Sequence, residues 1–313
     1  MSSKTKIFID GSEGTTGLRI HERFGQRDDI ELIPISAELR KDVEERKRLI
    51  NQSDITFLCL PDAAARESVS LVENENVRII DTSTAHRTED GWAYGFPELS
   101  SVHRNKIKEG KRIAVPGCHA TGFISLAYPI VSQGILPSDY PVATFSLTGY
   151  SGGGKKMIAE YESDERPVEL DAPREYALTQ KHKHLKEMKK ISGLSVTPIF
   201  CPYICDYYSG MLVTVPIFKS QLNSGKTVDD IKSVYRAKYN SPIVKYKDSV
   251  DNGGFIASNS KAELDSMDIA VSGNDDRILL TAVYDNLGKG ASGAALECMN
   301  IVMGLPPEYK LDL

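Results

Sequence analysis

Thr5-Lys6-Ile7-Phe8-Ile9-Asp10-Gly11-Ser12-Glu13-Gly14-Thr15-Thr16-Gly17 reads as a strand that breaks into a glycine-rich turn and opens a helix. Apart from Lys6, Thr5 to Ile9 is apolar or β-branched, and the glycines beyond it are spaced Gly-x-x-Gly-x-x-Gly, a variant of the dinucleotide fingerprint. Glycine permits the tight turn and lets a pyrophosphate reach the first N–H groups of the helix, where the helix dipole favours an anion. Glycine-rich turns are common, so the motif draws its force from its place at the head of an alternating series. The series continues with Glu31 to Ile35, Ile55 to Leu60, Val77 to Ile80 and Arg112 to Val115, separated by polar, helix-compatible stretches. In one of these, Ala37 to Asn51, the residues Leu39, Val43, Leu49 and Ile50 fall near one helical face. Such spacing predicts α/β structure with a parallel, doubly wound sheet that binds ligands at the carboxyl ends of its strands.

Gly11, Gly14, Thr15, Thr16 and Gly17 are therefore expected around a pyrophosphate. The second strand ends in Ile35-Ser36, with Arg40 and Lys41 just beyond and no carboxylate at Ser36 to hold a ribose 2′-hydroxyl. A hydroxyl followed by two cations suits a 2′-phosphate, which predicts NADP(H) rather than NAD(H). A solvated helix face is the other reading of Arg40 and Lys41. Pro61, after the third strand, and Ser83, after the fourth, fall on the same rim. Cys59 is expected in the core.

Beyond residue 118 the pattern changes to longer strands such as Val142 to Thr148, Met211 to Phe218 and Ile278 to Tyr284, with fewer helices. This predicts a second, mixed α+β domain over 118–289, and a first domain over 1–117 completed by 290–313. Pro216 inside a strand-like run points to an edge or a bulge. The last helix, Ala291 to Met303, can pack on either domain.

At the junction stands Pro116-Gly117-Cys118-His119-Ala120-Thr121-Gly122, between an apolar strand and a helix expected to run to Pro129. A thiol at a helix start meets unsatisfied N–H groups and a partial positive charge, which favour thiolate and can hold an oxyanion. Cys118 is thus a candidate nucleophile, against the reading that it is one more small buried residue.

Three further clusters carry polar chemistry. Asp81 to Arg87 ends in an arginine able to fork onto a carboxylate or phosphate. Gly149-Tyr150-Ser151-Gly152-Gly153-Gly154-Lys155 reads as a flexible, donor-rich loop that wraps an anion or as a plain connector. Lys181-His182-Lys183-His184-Leu185-Lys186-Glu187 gathers two imidazoles and a carboxylate, and imidazole is the proton carrier matched to neutral pH. A metal site is the rival reading of that segment. Cys201 and Cys205 are expected to line the core or a cleft.

Composition sets the class. A net charge of −5 over 313 residues leaves no basic footprint for nucleic acid, and no run of about eighteen apolar residues exists to span a membrane. Five scattered cysteines fit a reducing compartment better than a disulfide scaffold. The first residues lead straight into a strand, so no signal or transit peptide is expected and the expected location is the cytoplasm.

With these motifs in order, the chain resembles the N-acetyl-γ-glutamyl-phosphate reductases of arginine biosynthesis, in their shorter form. The resemblance runs from Phe8 to Gly17 through Cys59-Leu60-Pro61-Asp62, Ser83 to Arg87, Tyr94 to Leu99, Pro116-Gly117-Cys118, Gly149 to Lys155, His182-Lys183-His184, Gly210 to Val213 and Asp285 to Ala291. It implies a Rossmann-type NADP-binding domain plus a mixed α+β catalytic and dimerisation domain of the semialdehyde dehydrogenase kind, and a homo-oligomer, dimer or tetramer. It implies an acyl phosphate substrate, Cys118 as nucleophile and His182 as acid/base. Arg87, Ser151, His184 and Glu187 would line the substrate site, with Asn286 near the nicotinamide. His119 stands where an aromatic usually follows the cysteine, and Lys186 where proline usually precedes Glu187; neither removes a catalytic group, and the second leaves open how His182 and His184 are set and which of them is the acid/base. An aspartate-semialdehyde dehydrogenase-like enzyme and a non-catalytic NADP-binding regulator are the competing expectations.

Overall fold

The computed structural model describes residues 4–12, 14–25 and 27–313. The chain forms two compact units, one running to Pro116 and including Ala294–Tyr309, the other comprising Gly117–Gly293 with Lys310–Leu313.

The first unit alternates β1 (Thr5–Asp10), α1 (Thr15–Phe24), β2 (Ile30–Ile33), α2 (Val43–Gln52), β3 (Ile55–Leu58), α3 (Asp62–Ser70), β4 (Arg78–Asp81), β5 (Ala93–Tyr94), α4 (Ser101–Glu109) and β6 (Arg112–Ala114). Its sheet has the order β2-β1-β3-β4-β6-β5 with every pair parallel. Parallel strands covered on both faces are largely apolar, as in β3, whose four residues, Thr56 among them, are all buried. Phe8, Leu49, Ile50, Leu58, Ala65, Val77 and Ile79 make one core cluster. The two-residue edge strand β5 is too short to show a period, and the sequence pattern missed it. The helix expected from Ala37 starts at Val43 instead. Asp42 accepts the N–H of Glu45 at 2.8 Å and caps it, and residues 37–41 form turns outside the helix. Buried Asp10, at the end of β1, accepts from Arg46 of α2 at 3.1 Å and from Ser68 of α3 at 2.8 Å, tying both helices to the sheet rim.

The second unit contains α5 (Cys118–Ser132), β7 (Ala143–Gly149), α6 (Gly154–Tyr161), β8 (Arg174–Glu175), α7 (His184–Ser192), β9 (Ile199–Cys205), β10 (Met211–Phe218), α8 (Val228–Lys238), β11 (Val244–Tyr246), β12 (Met267–Gly273) and β13 (Arg277–Tyr284). The mixed sheet runs β11-β12-β13-β10-β7-β9-β8. Met211, Val213, Val215 and Ile217 of β10 alternate into the core with Ile278, Leu280, Ala282 and Tyr284 of β13, beneath α5. Pro216 lies in a central strand, a correction to the expected edge or bulge. The position tolerates it because the ladder with β7 stops at Thr214 while Pro216 faces Leu279 of β13.

Helix α5 continues through Pro129 to Ser132, three residues past its expected end. Proline has no N–H to give Ser125, and the buried Tyr239 hydroxyl donates to the Ser125 carbonyl at 2.6 Å instead. After β13 a π-helical turn, Gly288–Ser292, leads into α9 (Gly293–Val302). From Ala294 this helix belongs to the first unit, where Asn300 accepts from Arg27 at 2.8 Å. No helix among the described residues is long and apolar enough to cross a membrane.

Candidate active site

In the first unit the glycines of the opening motif divide their work. Gly11 has φ +91°, and a Cβ on it would stand 2.5 Å from the Cys59 carbonyl. A Cβ on Gly17 would meet the Gly11 carbonyl at the same distance, so both residues must be glycine for the turn to close. Gly14 differs. It is the extended residue before α1, which has no side-chain cap, and a Cβ there would find nothing nearer than 3.7 Å. The helix start is thus approachable and Gly14 gives its N–H groups no side-chain acceptor, which fits a pyrophosphate. The side chains of Thr15 and Thr16 lie outside the described residues, as does Glu13.

Ser36, Arg40 and Lys41 sit exposed after β2, in the turns before α2, so the helix-face reading of the cations fails. Arg40 Nε donates to the Ala37 carbonyl at 3.0 Å. Sequence reasoning missed Glu38 here. Its own backbone N–H, then the Ser36 hydroxyl, hold its carboxyl below the usual range, with Arg40 adding to the effect. Pro61 precedes α3 and accepts the N–H of Ala65 at 2.9 Å. Ser83 is buried and donates to Asp81 at 2.8 Å, while His86 meets the same carboxylate at 2.6 Å and stacks on Trp92. Arg87 is also buried, donating Nε to the Val115 carbonyl at 2.8 Å and Nη2 to the Thr82 carbonyl at 2.9 Å.

In the second unit Cys118 is the first residue of α5 and is half-buried. Gly117 before it is extended and offers no cap, so the helix start presents its N–H groups beside the thiol. Glu187, expected to line the substrate site, is buried in α7 and accepts the Gly117 N–H at 2.9 Å. It therefore holds the approach to the cysteine. A Cβ on Gly290 would come within 3.1 Å of Cys118 Cβ, so the π-helical turn passes close behind the nucleophile.

His182 lies in the turn before α7 and His184 is the first residue of the helix. This break in regular structure lets two imidazoles two residues apart meet edge-on, 4.6 Å between centroids. The His184 N–H donates to His182 Nδ1 at 3.2 Å, so in the neutral ring the exchangeable proton is on Nε2. Two members of this cluster were missed as site residues. His119 lies within 6 Å of both histidine rings and of Tyr176 and Phe200. Its Nδ1 pairs with Ser146 and its Nε2 with the Tyr176 hydroxyl, each at 2.6 Å. Burial, then the nearby His182 charge, press its pKa down to about 3, so it stays neutral. Its place beside Cys118 was the available signal. Nothing in the local sequence marked Tyr176.

The Gly149–Lys155 segment is not the flexible loop expected. Gly149, Tyr150 and Ser151 donate their N–H groups to the carbonyls of Gly210, Tyr207 and Tyr208 at 3.0–3.1 Å, and a 3₁₀ turn over Tyr150–Gly153 leads into α6. Asn286 fixes it further, donating to Ser151 Oγ at 3.0 Å and accepting the Gly210 N–H at 2.9 Å. Among the described residues no group of three or more His, Cys, Asp or Glu is placed to hold a metal.

A family model for the semialdehyde dehydrogenase NAD binding domain matches residues 6–109, and one for the semialdehyde dehydrogenase dimerisation domain matches 118–286. An N-acetyl-γ-glutamyl-phosphate reductase 2 from a Nostoc species is 43% identical over 99% of this chain and 100% of its own length. An N-acetyl-γ-glutamyl-phosphate reductase from Sinorhizobium medicae is 42% identical over 96% and 99%. Among solved structures, aspartate semialdehyde dehydrogenase II from Vibrio cholerae superposes with a TM-score of 0.73 over 97% of this chain and 99% of its own, at 15% identity. Aspartate semialdehyde dehydrogenase from Candida albicans does so at 0.65 over 96% and 99%, also at 15% identity. These structures share the fold. Matched by both domains and aligned end to end with the reductases, the chain belongs to the semialdehyde dehydrogenase family, among its N-acetyl-γ-glutamyl-phosphate reductases.

Proposed function

We propose that this chain reduces N-acetyl-γ-glutamyl phosphate to N-acetylglutamate semialdehyde and phosphate through a thioester on Cys118, with NADPH, as a step of arginine biosynthesis in the cytoplasm. The observation that carries the chemistry is Cys118 at the uncapped start of α5, with the preceding N–H held by Glu187. The names of the relatives supply the substrate. Cys118 Sγ, as thiolate, bonds to the acyl carbon while the carbon–oxygen bond to phosphate breaks, and the thiol proton ends on the released phosphate. The N–H groups at the start of α5 stabilise the tetrahedral oxyanion. A bound nicotinamide cofactor supplies the hydride. Collapse of the second oxyanion breaks the carbon–sulfur bond, gives the aldehyde, and takes from His182 Nε2 the proton that restores the thiol, a proton that His182 regains from water. Arg87, Ser151 and His184 hold the anionic ends of the substrate.

Ser36, Arg40 and Lys41 favour the 2′-phosphate of NADP(H), with Glu38 working against it. The second unit also supports self-association as a dimer or tetramer. By register Phe145, Ile199, Phe218 and Leu279 share one face of the sheet, and they are 41–57% exposed. Ile199→Asp should yield a smaller species in sedimentation. The activity is tested by phosphate-dependent NADP⁺ reduction with N-acetylglutamate semialdehyde beside aspartate semialdehyde. Turnover with the first alone is expected, and turnover with the second alone would transfer the chain to the other branch.

A further inference from the structure

We propose that Tyr284 is a positioning residue for the nucleophile: its hydroxyl bridges the carbonyl of Cys118 and the N–H of Gly122, and so fixes how the thiol and the neighbouring N–H groups face. The hydroxyl donates to the Cys118 carbonyl at 2.6 Å and accepts the Gly122 N–H at 3.0 Å. These are the two groups that the i to i+4 pattern brings together in the first turn of an α-helix. Tyr284 therefore braces that turn from outside.

The peptide plane carries the consequence. Holding the Cys118 carbonyl also sets the direction of the His119 N–H across the same rigid peptide, and that N–H is one of the orphan donors at the helix start. On the other side Glu187 holds the Gly117 N–H. Cys118 is thus bracketed by two buried side chains that each grip a backbone group, one from α7 and one from β13.

A second observation shows that the room is made for this contact. A Cβ on Gly122 would stand 2.6 Å from the Tyr284 hydroxyl and 2.5 Å from Val213 Cγ2. Glycine at 122 leaves the space that the phenol fills. Tyr284 is itself set by the sheet, as the last residue of β13 paired with Met211 of β10. Asp285 next to it accepts from Ser209 at 3.0 Å and from the Leu287 N–H at 2.7 Å. Complete burial, then the negative charge of Cys118, hold the phenol above its ordinary range, so the hydroxyl remains a donor.

Tyr239 provides a matched control, since its buried hydroxyl donates to the Ser125 carbonyl of the same helix at 2.6 Å, two turns from the thiol. Tyr284→Phe and Tyr239→Phe are compared in the intact protein by melting temperature, kcat, KM and the pH dependence of Cys118 alkylation by iodoacetamide. Tyr284→Phe should lower kcat about 10- to 100-fold with KM nearly unchanged, and should move the alkylation profile. Tyr239→Phe should lower the melting temperature alone. Equal melting losses with kcat and alkylation unmoved in both variants would overturn the proposal. Should Tyr284→Phe not fold, 3-fluorotyrosine at 284 keeps the ring and strengthens the donor. An unmoved alkylation profile would then overturn it as well. The proposal rests on Cys118 as nucleophile, but alkylation reads the thiol directly, so it can fail while that role stands.

Discussion

Two of the molecule's strand–turn–helix junctions look alike locally, one inside the first unit and one where the chain passes into the second. At Gly11–Gly17 and at Pro116–Gly122 an apolar strand leads to an extended glycine and an α-helix without a side-chain cap. They differ in what holds them. Gly11 and Gly17 close the first turn against backbone atoms of Cys59 and Gly11. The second is braced by Glu187, Tyr284 and the close passage of Gly290, which come from 69 to 172 positions along the chain. A helix start that only receives an anion can be built almost entirely from its own glycines. One that must aim a nucleophile needs side chains brought from elsewhere, because small errors of orientation cost rate rather than affinity.

The contrast breaks first at the histidines. His182→Asn should lower kcat by roughly 10²–10⁴-fold and remove one limb of the pH–rate profile, while His184→Asn should act mainly on KM. If His184→Asn loses the limb and His182→Asn retains it, the hydrogen bond from the His184 N–H to His182 Nδ1 has been given the wrong role.

At the nucleotide junction, Gly11→Ala should cost about 1–3 kcal/mol in stability, from a disfavoured φ and the contact with the Cys59 carbonyl. Gly14→Ala should leave stability within about 0.5 kcal/mol and weaken cofactor binding, since its Cβ enters the open approach. Chemical denaturation and fluorescence titration with NADPH separate the two. Equal stability losses would remove the distinction between closing and receiving glycines.

Cofactor choice sharpens the same region. Arg40→Ala with Lys41→Ala should weaken NADPH by about 1–3 kcal/mol and leave NADH almost unmoved, whereas Glu38→Gln should strengthen NADPH. Parallel titrations decide it, and equal weakening of both cofactors would assign the cations to the fold.

The smallest effect belongs to His119. Its folded pKa of about 3 lies below that of a free histidine, so the unfolded chain binds more protons between those values and stability falls as pH falls. At pH 5.5 the loss relative to pH 8 should be about 1.4 kcal/mol. His119→Phe should remove that part of the acid sensitivity in denaturant midpoints, and an unchanged slope would mean the imidazole protonates in place.

The sequence disclosed what local pattern controls. Five of the six parallel strands, the glycine turn and Cys118 at a helix start follow from periodicity and turn chemistry within a few residues. The start of α2 did not, because a cap at Asp42 overrode an apolar spacing that still included Leu39. The persistence of α5 through Pro129 depends on Tyr239, more than a hundred residues away. His119 and Tyr176 join the histidines only through tertiary packing, and Asn286 pins the Ser151 turn by bonds that no spacing rule reports.

That the Cys118 thiol takes the acyl group before any hydride moves is tested most directly by rapid mixing with N-acetyl-γ-glutamyl phosphate in the absence of NADPH. The account predicts a burst of phosphate equal to the enzyme concentration and a matching acyl adduct on the Cys118 peptide by mass spectrometry, both absent in Cys118→Ser. Absence of a burst and adduct in the wild type, together with wild-type turnover by Cys118→Ser, would contradict it.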